Sequence, residues 1–88
     1  MAIEDVLSSK GRVKILKILA EIGELNTSAI ARRAGLNYAT TIRHLQALEK
    51  AGLVRRRNFG RIHIFRFDEG NPRARIVKGL IDLWGEGA

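Results

Sequence analysis

The chain has 88 residues, 45% of them hydrophobic, and a formal net charge of +7. That length fits one domain burying only about 60% of the surface its unfolded chain exposes, which leaves little material to wall an enzyme cleft. A sequence pI of about 10.9 favours a polyanionic partner, nucleic acid or an anionic membrane surface. The absence of cysteine excludes disulfides, thiolate metal sites and cysteine catalysis, and fits a reducing, cytoplasmic setting.

The acidic start "MAIEDV" lacks the basic and apolar regions of a secretory signal, and no apolar run approaches the length of a membrane span. Ile3, Val6 and Leu7 give at most a turn or two of helix. In "SSKGRVKILKILAEIG", Val13, Leu16, Ile18, Leu19 and Ile22 recur at helical spacing. Ser9 serves as N-cap and Gly23 as the stop, predicting a helix over 10–22. "LNTSAIARRAGLN" predicts a shorter helix capped by Asn26, with Ile30, Ala31 and Ala34 inward and a turn at Gly35. Asn37 then caps a third helix running to about Ala51, which ends at Gly52. Two helices joined through "AGLN" have the lengths and the glycine of a helix-turn-helix.

After Gly52 the hydrophobic period changes from 3.6 to 2. "LVRRR", "NFG" and "RIHIFRF" predict a two-stranded β-hairpin with an arginine-lined tip and with His63, Phe65 and Phe67 on one face. Asn71 as N-cap and Pro72 at the first helical position open a last helix predicted over 72–84. No linker, repeat or low-complexity tract divides the chain, so residues 1–88 are expected to form one domain, mainly α with a small β component. The basic residues concentrate in its middle. Arg32 to Arg66 contains nine of them against a single acid, Glu49, whereas the rest of the chain is close to neutral. Arginine richness with few amides leans towards a heat-adapted source.

The order helix, helix-turn-helix, two-stranded wing, helix resembles the winged-helix transcriptional regulators of the ArsR-like and MarR-like kind. The likeness covers residues 7–67. It rests on "LSSKGRVKILKIL", "LNTSAIARRAGLN", "ATTIRHLQALEKAGLVRRR" and "GRIHIFRF", with the ending "LQALEKAGLV" of the third helix the most family-like. The resemblance implies a DNA-binding regulator, and the helix after Asn71-Pro72 looks like the tail through which many small archaeal and bacterial members dimerise. It also implies limits. Metal-sensing members use Cys and His clusters, which are lacking here, and larger members have additional helices around a ligand pocket. Neither a metal nor a small-molecule ligand is therefore expected, and no cofactor.

For the third helix to enter a major groove about 12 Å wide, its outward side chains must offer hydrogen bonds without bulk. Arg43 points away from the Leu45/Leu48 face and is the first choice for a bidentate contact to guanine; it also matches an arginine common at this place in MarR-like recognition helices. Thr40 and Gln46 are candidates for base or phosphate contacts, Tyr38 for a phosphate through its hydroxyl, and Asn37 and Lys50 complete the helix's share. Ser28, with Thr27 beside it, sits where helix N-terminal amides favour an anion. Arg55, Arg57 and Arg61 flank a tip made by Asn58, Phe59 and Gly60 and are expected on phosphates or in the minor groove, although charge on an edge ribbon also keeps strands soluble. Phe59 either wedges against sugars or folds back over the hairpin. Arg32 and Arg33 suit the dipole of the helix they end, with a phosphate contact the equal alternative, and a lone His44 at the edge of the inward face reads first as structural.

In the last helix Val77, Leu80, Ile81 and Trp84 form a stripe expected to pack a two-fold dimer, with Gly79 permitting close approach; the alternative is packing on the chain's own first helix. The expected function is sequence-specific binding of duplex DNA and regulation of transcription, repression being the default sign. The rivals are a sequence-tolerant architectural DNA-binding protein and a winged-helix protein-interaction module. Catalysis is disfavoured, because the carboxylates are scattered near element ends with no His or Cys partner.

Overall fold

The computed structural model describes the backbone of residues 1–87 and the side chains of residues 1–85. Five helices and three strands follow in the order α1 (Ile3–Leu7), α2 (Lys10–Ile22), β1 (Glu24–Asn26), α3 (Thr27–Ala34), α4 (Tyr38–Lys50), β2 (Val54–Phe59), β3 (Ile62–Phe67) and α5 (Pro72–Gly87). This is a mainly helical winged helix-turn-helix. Side-chain caps start α2, α3 and α4, and Asn71 starts α5 in the same way. Ser9 Oγ accepts from the Arg12 amide at 3.2 Å, Asn26 Oδ1 from Ala29 at 2.9 Å and Asn37 Oδ1 from Thr40 at 2.8 Å. Each occupies one of the amides a helix leaves free at its start.

The turn of the helix-turn-helix is set by Gly35. Its φ of 68° is left-handed, and it closes α3 with bonds from its own amide to Arg32 and from the Leu36 amide to Ala31. Two residues after Gly35, Asn37 already caps α4. Thr41, the fully buried polar residue of α4, donates from Oγ1 to the Asn37 carbonyl at 2.9 Å, so its burial leaves no bond unmade.

α2 is the central element, touching α1, α3, α4, α5 and the sheet. Being covered from several sides, it needs a wide apolar arc, and two of its residues depart from the predicted stripe. Ile15, outside that stripe, is fully buried, whereas Ile22 is exposed at the helix end. Leu16, Leu19, Ile30, Leu45 and Leu48 join Ile15 in the core, closed by Val54, Phe65 and Phe67 from the hairpin and by Ala74 and Val77 from α5.

The sheet is antiparallel in the order β1-β3-β2, one strand more than the hairpin that was expected. β1 pairs Glu24 with Arg66, Leu25 with Phe65 and Asn26 with Ile64. Three residues, the last doubling as the cap of α3, leave no alternation to read in the sequence. Their pairing covers the edge of β3 that the hairpin leaves open. Between β2 and β3, Gly60 (φ 60°) and Arg61 form a two-residue turn with glycine at the first central position, a geometry that follows the twist of the strands.

α5 runs to Gly87, past the predicted end at 84, so Gly85 does not stop it. Asn71 caps it through Oδ1 to the Arg73 amide at 2.9 Å while its Nδ2 donates to the Gly52 carbonyl, also at 2.9 Å, so one side chain joins the end of α4 to the start of α5. The four residues expected at a dimer contact divide. Val77 is buried in the protomer's own core and Ile81 packs against it, whereas Leu80 and Trp84 are exposed together with Ile76 and Leu83. Gly79 has no neighbour within 4 Å of an added Cβ, so the close approach expected there is not made within the protomer.

Candidate nucleic-acid interface

With Thr41, Leu45 and Leu48 turned inward, the opposite side of α4 is necessarily the solvent side, and Ala39, Arg43, Gln46 and Lys50 stand exposed on it with Tyr38 at the helix start. Arg43 Nη2 donates to Thr40 Oγ1 at 3.2 Å. Thr40, half-buried one turn earlier, therefore steadies the guanidinium and is better suited to positioning it than to touching bases itself. The Asn37 side chain is committed to its cap, which gives it the same supporting character.

Ser28, Tyr38 and Arg61 come together. They line a hollow of about 320 Å³ between the start of α3, the start of α4 and the wing. A serine hydroxyl, a phenol and a guanidinium beside the free amides of α3 make a suitable lodging for a phosphate. Thr27, in contrast, is buried, with its hydroxyl directed to the His63 carbonyl at 3.5 Å.

The wing arginines are less uniform. Cross-strand partners share a sheet face, so Arg56, opposite the buried Phe65, lies on the inner side and reaches Glu49 of α4 at 3.7 Å. Arg55, opposite Arg66, and Arg57, opposite Ile64, lie on the outer side. Arg57 is held there by Glu24 of β1 at 3.1 Å. Arg55 and Arg57 are thus not gathered with the outward face of α4, whereas Arg61 is carried by the turn into the hollow with Tyr38. Among the described residues Arg43, Lys50, Arg55 and Arg61 have no carboxylate partner.

Two features have no counterpart among the sequence expectations. Lys10, Lys14 and Lys17 stand exposed at i, i+4 and i+7 along α2 beside the Ala34-Gly35-Leu36 turn; the spacing in "KGRVKILK" is the available signal. The other is Ile62, exposed at the wing tip beside Phe59, which does not fold back over the hairpin. Arg32 and Arg33 are exposed at the end of α3. Among the described residues no cluster of His, Asp or Glu could hold a metal ion, and no helix is long and apolar enough to cross a membrane.

His44 packs against α2 where Gly11 leaves room; a Cβ at Gly11 would stand 2.8 Å from His44 Nε2. Burial lowers the His44 pKa below its ordinary 6.5, and the positive charges of Arg12 and Arg43 lower it further. Below pH 6.5 the unfolded chain therefore takes up a proton that the folded ring resists. The contribution of neutral His44 to stability is complete above pH 6.5 and is lost as pH falls from there through the folded-state value. Thermal melting between pH 7.5 and 5 is expected to show a decline that His44→Gln removes; an unchanged decline in the variant would assign it to other groups.

No protein among the curated ones matches the chain. Solved structures do. Over 93% of its length the chain is similar to 73% of the homodimeric winged helix-turn-helix DNA-binding domain of a possible ArsR-family transcriptional regulator from Mycobacterium bovis, at 30% identity and TM-score 0.76. A crystal structure of a possible transcriptional regulatory protein from the same organism gives 31% identity over 92% of this chain and 84% of that one, at TM-score 0.74. The regulator HlyU of Vibrio vulnificus, 22% identical, shares the fold at TM-score 0.79 over 93% of this chain and 79% of that one. The family model of the arsR-type bacterial regulatory proteins matches residues 9–56, which span α2, the helix-turn-helix and the start of the wing. The chain belongs to the arsR family of bacterial regulatory proteins, and is accordingly a DNA-binding regulator and not an enzyme.

Proposed function

We propose that the protein is a cytoplasmic homodimer that binds a particular duplex sequence, with α4 in the major groove and the wing on the backbone and minor groove, and that it represses transcription by occluding a promoter. The observation that carries this reading is Arg43, exposed on α4, steadied by Thr40 and without a carboxylate partner among the described residues. A guanidinium held in this way suits bidentate contact to guanine, worth about 1–3 kcal/mol of discrimination. Ser28, Tyr38 and Arg61 supply phosphate contacts on the wing side, with Gln46 and Lys50 along the helix. Arg55 and Arg57 meet only phosphates near the wing. The dimer is supported by the outward apolar stripe of α5.

Selection of duplexes from a random pool tests the reading directly, since a two-fold protein recovers an inverted repeat. On the selected duplex Arg43→Ala is expected to lose about tenfold or more in affinity and to flatten the preference at one position per half-site. Equal affinity for matched and scrambled duplexes at one salt concentration would instead establish a sequence-tolerant DNA-coating protein. A reporter driven by a promoter overlapping the selected site reads the sign of regulation.

A further inference from the structure

We propose that the wing tip carries an apolar wedge, the side chains of Phe59 and Ile62, which packs into the minor groove beside each half-site and adds a preference for easily unstacked base steps there. This rests on the DNA-binding reading above and extends it to a second kind of sequence reading, through deformability.

Phe59 and Ile62 are directly opposed in the β2–β3 register, the last pair before the Gly60-Arg61 turn. They are 68% and 53% exposed, so neither folds back over the hairpin. A hairpin end in water needs no such pair, since turn chemistry alone closes it and polar residues serve equally well there. The tip is also held in shape. Directly behind it, on the opposite sheet face, His63 Nδ1 and Asn58 Oδ1 are 2.7 Å apart, and the two-residue turn leaves no slack. A fixed apolar projection loses little freedom on binding.

The surroundings identify the occupant. Ile62 lines the same hollow as Ser28, Tyr38 and Arg61, so the apolar pair continues the proposed phosphate-binding surface. Arg61 lies in the turn itself, with no carboxylate among the described residues to satisfy it. An apolar pair next to an unpaired guanidinium matches a minor groove, rimmed by phosphates and walled by the apolar faces of the sugars, better than it matches the apolar face of a protein. Apolar side chains placed between base steps part them, and pyrimidine–purine steps part most readily.

The test compares two selected duplexes, identical in both half-sites and differing only in whether the steps beside them are TpA or GpC. A 2-aminopurine at the flanking step reports unstacking. The protein is used whole, as wild type and as the double variant Phe59→Thr, Ile62→Thr, in which threonine keeps strand propensity while removing the apolar bulk. Wild type is expected to prefer the TpA duplex by about tenfold, the order given by burying two apolar side chains incompletely, and to brighten the 2-aminopurine. The variant is expected to lose that preference and the fluorescence change while keeping its melting temperature and the slope of log K against log salt, because no cation has been removed. Equal wild-type affinity for the two duplexes, an unchanged preference in the variant or a changed salt slope overturns the wedge. If Arg43→Ala still flattens base preference in that case, the DNA reading stands without it; if matched and scrambled duplexes bind alike, both fall.

Discussion

Replacing Gly52 by alanine is expected to destabilise the protein by about 2–4 kcal/mol, although position 52 lies outside every helix and strand. Two effects combine. Gly52 has φ 80°, a left-handed conformation that costs a residue with a Cβ roughly 1–2 kcal/mol. The added Cβ would also overlap the amide nitrogen of Asn71, the group that donates to the Gly52 carbonyl from the cap of α5. Moving Asn71 forfeits that hydrogen bond and disturbs the cap, together about 1–2 kcal/mol. Gly35→Ala is the internal control. It has a comparable φ of 68° but nothing within 4 Å of the new Cβ, so it should show the strain alone. Urea denaturation of both variants separates the two contributions, and Gly52→Ala should lose most of its excess cost when Asn71 is already alanine. Equal losses at positions 35 and 52 would show that the joint between α4 and α5 contributes nothing.

That joint illustrates what the sequence disclosed and what it withheld. Asn71 was readable as a cap because capping is a local matter between a side chain and an amide two or three residues on. The same holds for Ser9, Asn26 and Asn37, and for the glycines that end helices, which is why α2, α3 and α4 follow their predicted limits so closely. The second bond of Asn71, to a carbonyl 19 residues away, has no sequence signature.

Non-local pairing explains the remaining departures. β1 exists because β3 has a free edge at the right place, and Glu24 meets Arg57 across 33 residues only once β1 is laid down. The sequence groups Arg55, Arg57 and Arg61 as one set about the wing tip, whereas the register puts Arg55 and Arg57 on the outer face and the turn carries Arg61 into the hollow with Tyr38. On α4, facing could be derived from the inward leucines alone, so Arg43, Gln46 and Lys50 stand where helical spacing puts them. On α5 it could not. That helix is apolar over a wide arc, and spacing does not tell which part of the arc its own protomer covers.

The structure divides the arc of α5, and from that division comes the prediction with the largest effect on binding. Ala74, Val77 and Ile81 turn to the protomer's core, leaving Ile76, Leu83 and Trp84 at 72%, 70% and 76% exposure with Leu80 between them. Ile3 and Leu7 of α1 are exposed as well, and Met1, Ile3, Val6 and Ile76 line an open groove of about 480 Å³ between α1 and α5. Burying a large apolar side chain fully gives about 1.5–3 kcal/mol, so four residues from each of two copies can offset an association cost of roughly 4–15 kcal/mol. The proposed dimer should therefore depend on nearly all of them. Leu83→Glu with Trp84→Ala is expected to leave a folded monomer, since neither side chain belongs to the core. Losing the linkage between half-sites should cut affinity for the selected inverted repeat by about 10²–10⁴, because the second half-site would no longer be engaged intramolecularly. Affinity for a single half-site should stay within about twofold, since α4 and the wing are untouched. Sedimentation equilibrium alongside both titrations decides the matter. A variant that still sediments as a dimer would move the interface off this stripe, and a monomer that binds the full repeat as tightly as wild type would mean that the two half-sites are read independently.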